Sequence, residues 1–465
     1  MDRIRRLWKG EEEEQAYEPL ENSITEADRR EDDVSFVDDD GKPRFSWLEY
    51  GVFLLLGISM LWAWNMFLAA GPYFQHRFRD SKWISENFQA AELAVSTITN
   101  LGSMLILTRM QAGASYPKRI ISSLFINMAI FALLAASTVI NVGATGYFVF
   151  LMIMIFATSL ATGLCQNGIF AYVSGFGQPQ YTQGIMTGQG VAGVLPCIAQ
   201  IVSVLSVQDE KSLNAPSDGI PSPERPAPGP QPVKSTSALA YFLTATIISV
   251  LTLFAFSYLA TRHRQVTGKP TSTATTETTD EPQPAREEVP LSLLFRKLFW
   301  LASAVFVTFG ITMVFPVFTQ RIVSVRPPSD QPAFLQPSSF IPLAFLFWNI
   351  GDLLGRLVTA IPALSLIARP RIVLLLAVLR VGWVGLYHLC NIRGQGAVVE
   401  SDVFYLVVVQ LFFGLTNGYL GSTCMIGAGE WVEPEEREAA GGFMGLCLVA
   451  GLAVGSLASF FAAGA

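Results

Sequence analysis

Eleven runs of about 20 mostly apolar residues recur along this chain, and their length decides what it can fold into. A bilayer core about 30 Å thick is crossed by about 20 helical residues. In hydrocarbon every backbone amide and carbonyl must find its partner within the protein. Runs this long do so as helices, since barrel strands are about half as long and alternate in polarity. The composition agrees, with 51% hydrophobic and 15% charged residues, against about 25% charged in a soluble domain. The sequence therefore predicts an all-α polytopic membrane protein.

The runs fall at 48–70, 88–109, 120–141, 147–173, 182–207, 238–261, 297–319, 340–362, 371–391, 403–427 and 438–463. Residues 1–46 carry acidic runs and no apolar h-region of a signal peptide, so they read as a disordered cytosolic tail. Within the tail, "YEPL" (Tyr17 to Leu20) matches a tyrosine-x-x-bulky sorting signal of endosomal and vacuolar proteins, which an adaptor would reach. Two connections are low in complexity. One is the Pro-rich loop 208–237 and the other the Thr-rich linker 263–293. The linker divides the spans into an N-terminal six-helix half, 47–262, and a C-terminal five-helix half, 294–465.

Lys and Arg set the orientation. With the N-terminus in the cytosol, 20 of the 31 Lys and Arg fall on the cytosolic side, nine fall opposite, and two lie within spans. No basic stripe points to a nucleic-acid partner, and the net charge of -6 resides mostly in tails and loops. The five cysteines lack metal-ligand spacing and read as small packing residues. There is no P-loop signature, no H-E-x-x-H and no G-x-S-x-G. Neither an ATP-driven motor nor an enzyme is expected, and no metal, cofactor or catalytic residue is assigned.

Four ionisable groups inside the spans constrain function: Glu92, Asp352, Arg356 and Arg380. A charge at mid-bilayer costs about 2.5–3.5 kcal/mol on insertion scales and usually faces a partner or a wet cavity. Asp352 and Arg356 are four residues apart and share one helix face, with Asn349 one turn earlier. They read either as a pair that only ties helices together or as the polar lining of a passage. Amides (Gln166, Asn167, Gln189, Asn65) and indoles (Trp62, Trp64) accumulate on other spans. Amides read hydrogen-bonding edges and indoles stack on flat rings, so the set suits a neutral, hydroxylated, ring-bearing solute. Glu92 has no local partner and reads either as a proton-binding carboxylate or as a hydrogen-bonded structural group. Arg380 reads as a helix-end anchor or the partner of a carboxylate on another helix. Small residues at three- and four-residue spacing, in "GQGVAG" (Gly188 to Gly193) and from Ala439 to Ser456, let helices approach closely, as static packing or as a sliding seam.

These residues resemble the equilibrative nucleoside transporters over roughly 48–463. "WNMFLAAGPYF" (Trp64 to Phe74) is similar to that family's first helix, and "YTQGIMTGQGVAG" (Tyr181 to Gly193) to its fifth. "FIPLAFLFWNIGDLLGRLVTA" (Phe340 to Ala360) resembles the eighth, and "LRVGWVGLYHLCNI" (Leu379 to Ile392) the ninth. "TNGYLGSTCMIGAGEWVEPEEREAAGGFMG" (Thr416 to Gly445) resembles the tenth and eleventh. The resemblance implies a major-facilitator-like 6+5 bundle that carries nucleosides by alternating access, with nucleobases an open further class. Carried over by position, Leu61 and Trp64 line the pocket near the base, Gln166 meets the nucleobase edge, and Asp352 and Arg356 meet the ribose hydroxyls. Phe345, Asn349 and Leu452 are lesser lining or gating positions. Ala63 departs from the family, which often has proline there, so a straighter first helix is expected. Glu92 has no counterpart in the resemblance. The competing readings are a proton-coupled carrier of sugars or other small solutes, with twelve spans expected, and a receptor or scaffold that moves no solute. Plasma membrane and vacuolar or lysosomal membrane are both open as locations.

Overall fold

The structure, a computed structural model, describes residues 45–111, 113–140, 142–213, 235–267 and 288–464. Eleven helices among them are long and apolar enough to cross a membrane. They are α1 (Trp47–Arg77), α2 (Lys82–Arg109), α3 (Tyr116–Ser137), α4 (Ala144–Gly175), α5 (Pro179–Val202), α6 (Ser237–His263), α7 (Leu291–Thr319), α8 (Pro337–Val358), α9 (Pro370–His388), α10 (Phe404–Glu430) and α11 (Pro434–Ser459). Each falls on one of the apolar runs. The protein is an integral membrane protein built from helices. The tail with Tyr17–Leu20, most of the Pro-rich loop and most of the Thr-rich linker lie outside the described residues.

The helices outrun the apolar runs where polar residues are good helix formers. The helix containing α5 continues to Leu213, and that containing α6 runs from Ser235 to Thr267. Helical hydrogen bonding does not stop at the edge of an apolar layer, whereas hydropathy does.

Helix pairing repeats with an offset of six. α1 packs on α5 as α7 packs on α11, α2 on α4 as α8 on α10, and α3 on α4 as α9 on α10. Across the middle, α5 meets α8, and α2 and α4 meet α11. α6 has no counterpart among the described spans, which gives six helices followed by five.

Backbone breaks cluster in the second half. α7 divides at Met313 into Leu291–Thr312 and Val314–Thr319. Pro316 lacks the N–H that would bond the Thr312 carbonyl. α9 divides at Arg380 and Val381, where Trp383 and Val384 bond back three residues, at 3.0 Å each, ahead of a second piece that starts at Gly382. α10 opens with a π-helical stretch, Phe404–Leu411. By contrast α1 is unbroken from Trp47 to Ala69 and turns only at Ala70, just before Gly71 and Pro72. With alanine at 63, nothing there removes a ladder bond, and the helix is continuous across it.

Candidate functional site

Asp352 and Arg356 sit in the second half of α8, a helix that opens with Pro337 in its first turn and is apolar enough to stay in the bilayer. Their four-residue spacing lets Arg356 Nε donate to Asp352 Oδ2 at 2.7 Å. Both residues are 4% exposed. A lone charge at such depth is costly, so each group must be matched, and they are matched from two other helices, with a third bonding behind them. Arg356 Nη1 donates to the Met186 carbonyl at 2.8 Å and to Gln189 Oε1 at 3.0 Å, both on α5. Asn417 Nδ2 of α10 donates to Asp352 Oδ1 at 2.7 Å. Thr312 Oγ1, the last residue of the main segment of α7, donates to Asn417 Oδ1 at 2.5 Å.

The cluster is therefore closed on itself, but not completely. Among the described residues, Arg356 Nη2 has no acceptor in the protein and is not among the sealed, unsatisfied atoms. Each Asp352 oxygen accepts only one bond and has a further lone pair. While the pair stays bonded, one guanidinium nitrogen, Nη2, and spare carboxylate lone pairs remain without a protein partner.

The other expected site residues are placed as follows. Asn349, half-buried, is one turn before Asp352 and donates to the Phe345 carbonyl at 2.9 Å and Cys197 Sγ at 3.5 Å. Its amide oxygen rests against Gly193 of α5, where a Cβ would overlap it. Phe345 is half-buried, edge-on to Phe315 at 4.9 Å, and Phe315 stacks on Trp348 at 4.3 Å. These rings form an apolar wall directly beyond the ion pair on α8. Leu61 and Trp64 are half-buried on α1, and the neighbouring Asn65 bonds the Ala192 carbonyl of α5 at 2.7 Å. Leu452 is half-buried on α11. Gln166 is buried on α4 and accepts from Asn100 of α2 at 3.5 Å, apart from the hydrogen bonds of the Asp352 cluster. Glu92 is 6% exposed on α2, and its Oε1 has no partner in the protein.

Arg380 is the helix-end anchor rather than a carboxylate's direct partner. It stands at the break in α9, 1% exposed, with no carboxylate in bonding range. It donates instead to the Thr308 carbonyl at 2.6 Å, Thr312 Oγ1 at 3.1 Å and Thr416 Oγ1 at 3.2 Å, and lies 4.5 Å over the Phe413 ring. Sequence reasoning counted Gln189 among the amides suited to a solute but gave no role to Thr312 or Asn417. The signal for Asn417 and Gln189 was present, since both are amides inside apolar runs, but nothing local said which charge they would meet.

At one end of the bundle the two halves are shut against each other. A cavity of about 40 Å³ there is lined by residues of the α4–α5 turn and of the α10–α11 turn, including Gly177, Gln178, Glu430 and Arg437. Arg437 donates to the Gly429 carbonyl at 3.2 Å, and its guanidinium presses on Gly177, whose φ of +66° suits a residue without Cβ.

A family model described as "Nucleoside transporter" matches residues 152–463. The chain is 28% identical over 450 residues to nucleoside transporter FUN26 of Saccharomyces cerevisiae, covering 89% of this chain and 83% of that protein. It is 27% identical over 478 residues to equilibrative nucleoside transporter 2 of Homo sapiens, covering 90% and 97%. Among solved structures it is similar to the Major Facilitator Superfamily transporter FucP in the outward conformation, with TM-score 0.50 and 15% identity over 90% of this chain and 95% of that one. That likeness shows the fold, a major-facilitator-like helical bundle. The sequence match carries the kinship: the chain belongs to the nucleoside transporter family.

Proposed function

We propose that the protein carries nucleosides across a membrane by facilitated, alternating access, with Asp352 and Arg356 as the groups that take the sugar. The carrying observation is the incompletely satisfied pair: Arg356 Nη2 without a protein acceptor beside a carboxylate with spare lone pairs. A ribose diol donates to the carboxylate and accepts from the guanidinium at once, which a bare hydrocarbon solute does not. Leu61, Trp64, Gln166, Phe345, Asn349 and Leu452 complete the lining in this reading, on the side of the base and the gate. The halves 47–262 and 294–465 rock about the α5–α8 and α2–α11 contacts. The N-terminus is cytosolic, Tyr17–Leu20 is the candidate signal for a sorting adaptor, and the membrane is the plasma membrane or a vacuolar or lysosomal one. Family membership favours this reading over a proton-coupled sugar carrier.

Expression in a transporter-null cell should produce saturable uptake of radiolabelled uridine and adenosine that stops when inner and outer concentrations are equal. A protonophore should leave the initial rate unchanged. Accumulation above the outside concentration would overturn the facilitative part of the reading.

Glu92 supplies one specific reason to test proton linkage, because a coupled proton requires a carboxylate inside the bundle with room to accept it. Facilitated flux predicts that wild type and Glu92→Gln have superimposable uptake-versus-pH profiles. A dependence on pH present in the wild type and flat in the variant would assign a transported proton to Glu92.

A further inference from the structure

Resting on the sugar-binding reading of Asp352, we propose that Arg380 is a positioning residue for the carboxylate, acting through Thr312 and Asn417, and so sets the protein's preference for hydroxylated over deoxygenated sugars.

The argument begins with the direction of each hydrogen bond. Arg380 has only donors, so Thr312 Oγ1 accepts from its Nη2 at 3.1 Å. The Thr312 hydroxyl then has one proton to give. Two acceptors are in range: the Thr308 carbonyl at 2.8 Å, which already takes Arg380 Nη1 at 2.6 Å, and Asn417 Oδ1 at 2.5 Å. The shorter distance and the free acceptor both favour Asn417. Its amide is oriented by chemistry rather than by choice: with the carbonyl toward Thr312, the Nδ2 donor faces Asp352 Oδ1 at 2.7 Å, whereas the flipped amide would set oxygen against carboxylate. The chain Arg380 to Thr312 to Asn417 to Asp352 thus donates at every step toward the carboxylate. Bonds aligned in one direction polarise each other, more so in a medium of low dielectric.

The consequence follows from charge. Two buried guanidiniums, Arg356 and Arg380, face one buried carboxylate in this cluster. Arg356 holds Oδ2 directly, and Arg380 holds Oδ1 through two neutral links. Pinned from both sides, Asp352 is a pure acceptor in one rotamer, and a solute satisfies its spare lone pairs only by bringing hydrogen-bond donors, which on a sugar are its hydroxyls. Breaking the chain at Arg380 or Thr312 frees the Asn417 amide to rotate and loosens Oδ1. Arg380 is held rigidly for the task, at the break of α9, stacked on Phe413 and bonded at the carbonyl end of the main α7 segment, where the helix dipole favours a cation.

The test uses the full-length protein in transporter-null cells, with uptake normalised to surface abundance and two solutes compared, uridine and 2′,3′-dideoxyuridine. Thr312→Val keeps the shape and removes the hydroxyl link. Losing one charge-assisted bond to the site should raise the KM for uridine about tenfold, with the KM for the dideoxy solute unchanged. Thr312→Ser, which restores the hydroxyl, should restore uridine. Arg380→Lys keeps the charge but loses the fork, and should shift uridine selectively in the same sense, which supplies an independent reading where Thr312→Val reaches the surface poorly. Combined with Asp352→Asn, Thr312→Val should add nothing for uridine. Equal losses for both solutes, or none, in Thr312→Val and Arg380→Lys would overturn the relay while leaving the sugar site standing, provided Asp352→Asn itself separates the solutes. If Asp352→Asn affects both solutes alike, the sugar-binding reading fails and the relay falls with it.

Discussion

Replacing Asp352 by alanine is expected to reduce uridine and adenosine uptake at least about 100-fold at matched membrane abundance, since two charge-assisted bonds are lost at about 1.5–3 kcal/mol each. The loss has two parts. The solute forfeits its acceptor, and Arg356, 4% exposed, is left with the Met186 carbonyl and Gln189 but no counter-charge. Breaking a buried pair by removing one member costs about 3–5 kcal/mol, so thermal stability of the purified protein should fall as well. Asp352→Asn separates the parts. It keeps the volume and one acceptor oxygen, softens the stability penalty and still removes the anion. Radiolabelled uptake beside a surface-labelling measurement decides the matter, and Asp352→Ala at normal abundance with unchanged uptake would remove the carboxylate from the mechanism.

The second large effect is expected at the crossing of α8 and α10. Gly351 and Gly355 on one helix and Gly414 and Gly418 on the other bring the two backbones into contact. A Cβ at Gly418 would overlap the Asp352 carbonyl oxygen, and one at Gly414 the Trp348 carbonyl oxygen. The neighbouring Asn417 can bond Asp352 at 2.7 Å only because the helices lie this close. Gly418→Val should therefore force the helices apart at a cost of about 1–3 kcal/mol or more. It should lower the melting temperature and abolish most uptake of hydroxylated solutes. Gly102→Ala is the matched control, because a Cβ there meets nothing within 4 Å; it should leave melting and uptake as in the wild type. A Gly418→Val protein as stable and active as that control would mean that the seam tolerates separation.

Much of the architecture was legible in the chain because the bilayer imposes a one-dimensional rule. Apolar runs long enough to cross it became the eleven spans, with ends displaced outward where polar residues prolonged a helix, as at Leu213 and Thr267, and inward at Val358 and His388. Breaks were less legible. Pro316 announces the interruption of α7, but the division of α9 at Arg380 has no proline to mark it.

The Asp352–Arg356 contact was determined by the sequence alone, because four residues on a helix are neighbours whatever surrounds them. So was the need for partners, since hydrocarbon penalises charge. Which groups would answer was decided only in three dimensions. Gln189 lies 167 residues from Arg356, and Asn417 lies 65 from Asp352. Arg380 reaches that carboxylate only through a threonine on α7 and an amide on α10. Hydropathy and helical period are local properties, while a hydrogen bond between helices depends on how closely and at what rotation they cross. Here that is set by glycines on two helices whose facing surfaces meet only in the folded bundle.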